Sequence, residues 1–167
     1  MRRRLFYFSL FFTSLLLWGC GQAPSAVTQG PSGSVPNFSL KNLQNEDVAL
    51  QSALAKNKAV LVNFWATWCP PCREEIPDLI KLEEKYKDKG FTILGIDVGE
   101  SAERVQSFSE KAGMNYPLLL DVDNAVAETY RVVGIPTTYL LNSEGKVLGE
   151  YHAFTPQLES DVEKALQ

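Results

Sequence analysis

The sequence predicts a mixed α/β domain in which short buried strands alternate with amphipathic helices and the chain closes on an antiparallel hairpin. Two apolar runs, Ala59–Trp65 and Phe91–Val98, have strand length and lack the polar interruptions of an amphipathic helix. Between and after them, apolar residues recur at helical spacing and glycines follow the last of them. A turn-rich tetrapeptide, Asn142-Ser143-Glu144-Gly145, separates two further strand-like runs. The 167 residues, 45% hydrophobic and 22% charged, suit about one ordinary globular domain. That composition excludes a chain disordered throughout, a collagen-like repeat and a multi-span membrane protein.

Ahead of the domain, Arg2, Arg3 and Arg4 precede an apolar run over residues 5–18 that is broken only by Ser9, Thr13 and Ser14. This run has the length of an export-signal core and falls short of the roughly 20 residues of a spanning helix, so a signal over residues 1–19 is expected. An uncleaved anchor is the alternative. Leu17-Trp18-Gly19-Cys20-Gly21 resembles the lipobox of bacterial lipoproteins, although Trp18 stands where a small or aliphatic residue is usual. The resemblance implies that Cys20 is acylated and becomes the new N-terminus. A cysteine that merely ends a hydrophobic stretch is the other reading, but lipidation accounts for the odd thiol of an exported chain with three cysteines. Two acyl chains give stable attachment to a membrane.

Eight of the fourteen residues over 21–34 are Gly, Pro or Ser and none is charged. Residues 20–34 therefore read as the lipidated cysteine and a flexible tether, reaching roughly 20 Å, with the folded domain at residues 35–167. Without the first nineteen residues, 13 basic side chains face 20 acidic ones and no Lys/Arg cluster remains. Nucleic acid is thereby a poor candidate partner.

Along the domain, Ala59–Trp65 is expected as a buried strand. Ile76, Leu79, Ile80 and Tyr86 mark a helix stopped near Gly90, with Pro77 removing the bond to the Arg73 carbonyl and expected to kink it. Phe91–Val98 is a second strand; Val105, Phe108 and Ala112 mark a helix ended by Gly113. Residues 116–121 form a third strand, 125–130 a short helix, and 138–141 with 146–151 a hairpin. Thr155 reads as an N-cap with Pro156 in the first helical turn, followed by Leu158, Val162 and Leu166.

The chemistry concentrates at Trp68-Cys69-Pro70-Pro71-Cys72, where the first strand passes into the first long helix. Two cysteines separated by two residues at a helix start can close a small disulfide ring. The unpaired N–H groups and positive potential of the helix N-terminus stabilise a thiolate. Cys69, at the helix end and open to water, is expected to attack; Cys72, one turn inside and shielded, resolves the mixed disulfide. Pro70 and Pro71 stiffen the ring without loss of a helical bond. Half a zinc site and a structural staple remain alternatives for such a pair. Zinc lacks further ligands beyond His152 and carboxylates, and so short a loop restrains the unfolded chain little.

The run Val62-Asn63-Phe64-Trp65-Ala66-Thr67-Trp68-Cys69-Pro70-Pro71-Cys72 resembles the active-site segment of the thioredoxin superfamily, especially its membrane-tethered TlpA/ResA branch. Three further pieces agree in order. Phe38-Ser39-Leu40 with Asp47-Val48-Ala49-Leu50 resembles the branch's N-terminal hairpin, and Asp97-Val98-Gly99-Glu100-Ser101 its central insertion. Gly134-Ile135-Pro136-Thr137-Thr138 resembles the loop in which a proline follows a cis peptide bond beside the CxxC. An X-Pro bond allows that isomer at modest cost, and it would turn the Ile135 backbone toward the disulfide, ready to pair with an extended substrate.

The resemblance implies a thioredoxin-like fold, catalytic Cys69 and Cys72, and substrate contacts at Trp68, Pro70, Ile135 and Pro136. Asn63 replaces the buried acid of thioredoxin itself, and the branch points instead to Glu100 as the group that tunes the thiols and takes the proton of Cys72. Read from the residues alone, Glu100 is a solvated carboxylate at a helix start. The implied activity is thiol-disulfide exchange with cysteines of exported proteins on the outer side of a bacterial membrane. The implied direction is reductive, as in cytochrome c maturation with apocytochrome c as client, with a membrane thiol donor and no cofactor. Two other classes stay open. Copper carriers of this fold have CxxxC with a nearby histidine, and thiol peroxidases a Thr-x-x-Cys, which Ala66-Thr67-Trp68-Cys69 lacks.

Overall fold

The computed structural model describes residues 34–167 together with the backbone of residues 26–28. The signal segment and Cys20 lie outside the described residues.

In chain order the elements are β1 (Ala26–Thr28), β2 (Asn37–Asn42), β3 (Asp47–Ala49), α1 (Leu50–Leu54), β4 (Ala59–Trp65), α2 (Pro70–Tyr86), β5 (Phe91–Val98), α3 (Ala102–Ala112), β6 (Leu118–Asp121), α4 (Ala125–Thr129), β7 (Thr137–Asn142), β8 (Val147–Tyr151) and α5 (Pro156–Ala165). The sheet order is β1-β2-β6-β5-β4-β7-β8, with β3 paired to β2. β4–β5 and β5–β6 are parallel; β4–β7, β7–β8, β2–β6, β2–β3 and β1–β2 are antiparallel. This is the mixed sheet flanked by helices that the sequence predicts.

All seven residues of β4 are buried, because β4 is paired on both sides and covered on both faces. The pleat divides its side chains. Leu61 and Trp65 join the core under α2, α3 and α5, with Leu79, Leu82, Val105, Leu158 and Val162. Val60, Val62 and Phe64 point the other way, into a second core with Phe38, Leu50, Val126, Tyr130 and Tyr139. The same alternation sets Asn63 of β4 and Asp97 of β5 on the α2 face. Two polar groups of the sheet are thus directed into the layer under α2.

The helix boundaries follow local chemistry. Gly90 and Gly113 both adopt left-handed conformations where the helical segments end, at φ +84° and +69°. The Thr155 hydroxyl accepts from the Leu158 N–H at 3.3 Å and caps α5 ahead of Pro156. α2 runs without a break across Pro77. On β5, the Ile93 N–H lies before the start of the β6 pairing and donates instead to Glu83 Oε2 of α2 at 2.8 Å. That buried carboxyl is pushed up to about 7 by burial.

Three expectations are corrected. The tether was expected to hold no regular element, yet Ala26–Thr28 adds a strand along β2, pairing with Asn37–Ser39; Val27 and Thr28 are β-branched and β2 offers a free edge. The second arm of the N-terminal hairpin stops at Ala49, and Leu50 instead begins α1, where it is buried. The strand expected from residue 116 starts at Leu118, because Tyr116 and Pro117 precede the pairing with β5.

Candidate active site

The site is built at the C-terminal end of β4, where a four-residue turn connects the sheet to α2. The Cys69 N–H donates to the Ala66 carbonyl at 3.2 Å, leaving Thr67 and Trp68 as the central turn residues. Cys69 is the N-cap of α2 in extended conformation, and its Sγ accepts from the Cys72 N–H at 3.3 Å. Cys69 and Cys72 are joined in a disulfide with their Cα atoms 5.3 Å apart. The first turn of α2 carries no acidic side chain, so nothing on it opposes the helix dipole where a thiolate would form.

The peptide bond between Ile135 and Pro136 is cis. The Ile135 carbonyl oxygen lies 3.6 Å from Cys69 Sγ, so the loop expected to face the disulfide does so through its backbone. Trp68, next to Cys69, is 62% exposed and Pro70 is exposed, so the turn carries accessible apolar surface, and Val133, two residues before Ile135, is 99% exposed. His152, given no role from the sequence, packs its Nδ1 3.2 Å from the hydroxyl of Thr137, the residue after Pro136; that hydroxyl donates to the Gly134 carbonyl at 2.7 Å.

The expected exposure of Cys69 does not hold. The residue is 2% exposed and Cys72 is fully buried, because the turn, the Ile135 carbonyl and the Cys72 N–H enclose the first sulfur. Position at the helix terminus, rather than wide access to water, distinguishes the two thiols.

On the buried face of α2 lies an acid to which the sequence assigns no role. Glu75, one turn after Cys72, is 6% exposed, and its Oε1 accepts from Asn63 Nδ2 at 2.8 Å. Asn63 Nδ2 also donates to Thr138 Oγ1 of β7 at 2.8 Å. Burial pushes the Glu75 carboxyl up to about 7, while hydrogen bonds from Asn63 and the Phe154 backbone pull it down without prevailing. Asn63 therefore does not leave the site without an acid; the amide positions one supplied by the helix. A signal was present. Cys72, Ile76, Leu79, Leu82 and Tyr86 mark the buried face of α2, and Glu75 and Glu83 fall on it at helical spacing.

Glu100 is 7% exposed rather than solvated. Its Oε2 accepts from the Thr67 backbone N–H at 2.6 Å and its Oε1 from the Thr67 hydroxyl at 2.8 Å, with Arg104 Nε 3.6 Å from Oε1. Its own N–H donates to Oδ1 of Asp97 at 3.1 Å. Asp97 is fully buried, its Oδ2 has no hydrogen-bond partner among the described residues, and burial followed by the nearby Glu100 raises its carboxyl to about 8. The structure thus brings Trp68, Cys69, Pro70, Cys72, Ile135 and Pro136 together around one disulfide and sets Glu100 against the turn that leads into it.

A model of the AhpC/TSA family matches residues 31–149. The chain is 40% identical over 123 residues to the thiol-disulfide oxidoreductase ResA of Bacillus subtilis, a match covering 74% of this chain and 66% of that protein. It is 33% identical over 150 residues to the ResA of Bacillus thuringiensis, covering 84% and 86%. Among solved structures, the thioredoxin domain of a thiol-disulfide oxidoreductase from Bacteroides vulgatus superposes with a TM-score of 0.73 at 33% identity, covering 82% of this chain and 99% of that one. A thioredoxin-family thiol:disulfide interchange protein from Chlorobium tepidum gives 0.70 at 28% identity, covering 87% and 100%.

Proposed function

The chain belongs to the AhpC/TSA family, with thiol-disulfide oxidoreductases as its relatives and a thioredoxin-like fold, and from that premise we propose that it reduces disulfides in exported proteins through the Cys69/Cys72 couple. The observation that carries this reading is the disulfide at the N-terminus of α2 with the Ile135 carbonyl against its outer sulfur.

In the reduced protein, the Cys69 thiolate attacks one sulfur of the substrate disulfide and expels the other as a thiolate, leaving a mixed disulfide. Cys72 then loses its proton and attacks Cys69 Sγ. The S–S bond to the substrate breaks, the second substrate thiolate leaves, and the Cys69–Cys72 disulfide forms. Two electrons have passed to the substrate. Glu75 is the acid one turn from Cys72, and a carboxyl that titrates at about 7 is suited to take that proton near neutral pH. The exposed apolar side chains of Trp68 and Val133 support an extended, partly apolar client segment pairing with the Ile135 backbone. A dithiol donor must regenerate the pair.

The lipobox-like sequence around Cys20 supports tethering to the outer side of a bacterial membrane, where a reductant would work against an oxidising compartment. Cytochrome c maturation, with apocytochrome c as the client and a membrane thiol donor upstream, is the assignment within this reading.

Trapping tests it. A Cys72→Ala chain expressed in its host is expected to accumulate mixed disulfides through Cys69, with the attached proteins identified by mass spectrometry. Recovery of none, from a chain whose Cys69 demonstrably reacts with a small aromatic disulfide, would overturn the exchange reading.

A further inference from the structure

We propose that Glu100, seated on Asp97, is a positioning residue that clamps the turn Ala66–Cys69 and so sets where Cys69 Sγ stands relative to the Ile135 carbonyl. The inference rests on the exchange reading above for its kinetic consequence, while its structural part stands on the turn alone.

The turn has one internal hydrogen bond, from the Cys69 N–H to the Ala66 carbonyl. Its first central residue, Thr67, offers a backbone N–H and a hydroxyl, and both are taken by the two oxygens of a single carboxylate on a different element. A carboxylate that accepts two bonds from one residue fixes that residue in rotation as well as in distance. Trp68 and Cys69 follow directly, so the clamp reaches the attacking sulfur through two residues of stiff turn.

Glu100 is itself held. Gly99 adopts φ +79°, where an L side chain is strained, and its N–H donates to the Asp121 carbonyl. That bend brings the Glu100 N–H onto Asp97 Oδ1. Asp97 lies opposite Trp65 in the β4–β5 register, so the support is anchored in the strand that delivers the turn. With both its oxygens engaged by Thr67, Glu100 is arranged to hold the turn rather than to carry a proton from Cys72.

Glu100→Gln and Glu100→Ala separate the two roles, because both remove the charge and only the first can still accept the Thr67 N–H. The readouts are the rate of the reduced full chain with a small aromatic disulfide across pH, and amide hydrogen exchange at Thr67 and Cys69. Glu100→Ala is expected to lose about 10- to 100-fold in limiting rate, the scale of a misplaced reacting atom, and to lose protection at Thr67. Glu100→Gln is expected to stay within about threefold of wild type and to keep that protection, since a neutral hydrogen bond survives. Equal losses in both variants would assign Glu100 a charge or proton-transfer role and overturn the clamp. Unchanged rate and protection in Glu100→Ala would also overturn it. If Glu100→Ala fails to fold, Thr67→Ser and Thr67→Val decide in the same way: the hydroxyl kept in Ser retains the rate and its loss in Val lowers it, and equality overturns the proposal. A wild type that keeps Thr67 protected but exchanges with no disulfide would overturn the exchange reading while leaving the structural clamp standing.

Discussion

Replacing Glu75 with glutamine should change how stability depends on pH more than it changes stability itself. The Glu75 carboxyl is pushed from the usual 4.5 up to about 7 by burial. Between those values the folded state holds a proton that the unfolded chain has lost, so folding stability falls as pH rises through that window and levels off above it. At about 1.4 kcal/mol per tenfold, the displacement sets a ceiling of about 3 kcal/mol on what this one group removes between pH 4.5 and 8. Asp97, raised to about 8, and Glu83, raised to about 7, act in the same direction. Wild type should therefore be most stable on the acid side of neutrality. Glutamine cannot ionise, and its carbonyl can still accept from Asn63 Nδ2. Urea unfolding of the oxidised wild type and Glu75→Gln at closely spaced pH values between 4.5 and 8.5 would show a shallower decline in the variant, by up to about 3 kcal/mol across the range. Parallel curves would refute the reasoning, since they would mean that Glu75 is ionised in the folded protein as readily as in the unfolded chain.

Trp68→Ala, which removes the largest exposed apolar side chain beside Cys69, should lower kcat/KM for protein disulfides by about 5- to 30-fold while sparing a small aromatic disulfide; equal effects on both would remove its assigned substrate contact. Gly95→Ala places a Cβ 2.9 Å from Leu118 Cδ2 and 3.0 Å from Tyr116 Cε2 and should cost about 1–3 kcal/mol of stability by overpacking, measured by denaturant unfolding. Cys20→Ser should abolish incorporation of a labelled fatty acid that wild type shows in its host; equal labelling of the two chains would refute acylation at that cysteine.

Local pattern carried much of this protein. β4 and β5 occupy the residue spans that their apolar runs mark, because a strand covered on both faces shows in one dimension as an unbroken run. Cys69-Pro70-Pro71-Cys72 at a strand-to-helix junction needs only the helix N-terminus to explain why a thiolate forms there. The Thr155-Pro156 start of α5 is likewise written in adjacent residues. β1 escaped because its three residues make a strand only when the edge of β2 is present, and no local pattern reports a neighbour.

The acids show the same division more sharply. The family resemblance matched Asn63 to the buried acid of thioredoxin and singled out Glu100, but hydrophobic period tells only which face a residue occupies and not what meets it there. Sheet order decided the partners. With β4 between β5 and β7, Asn63 bridges Glu75 of α2 and Thr138 of β7, and Asp97 is brought level with Trp65 so that Glu100 reaches Thr67. The sequence by itself determined the reactive pair, its polarity along the helix and the class of fold. Only the tertiary structure decided which carboxylate pairs with Asn63 and which one grips the turn, since those contacts join residues 12 to 75 positions apart and depend on desolvation that exists only once the layers have closed.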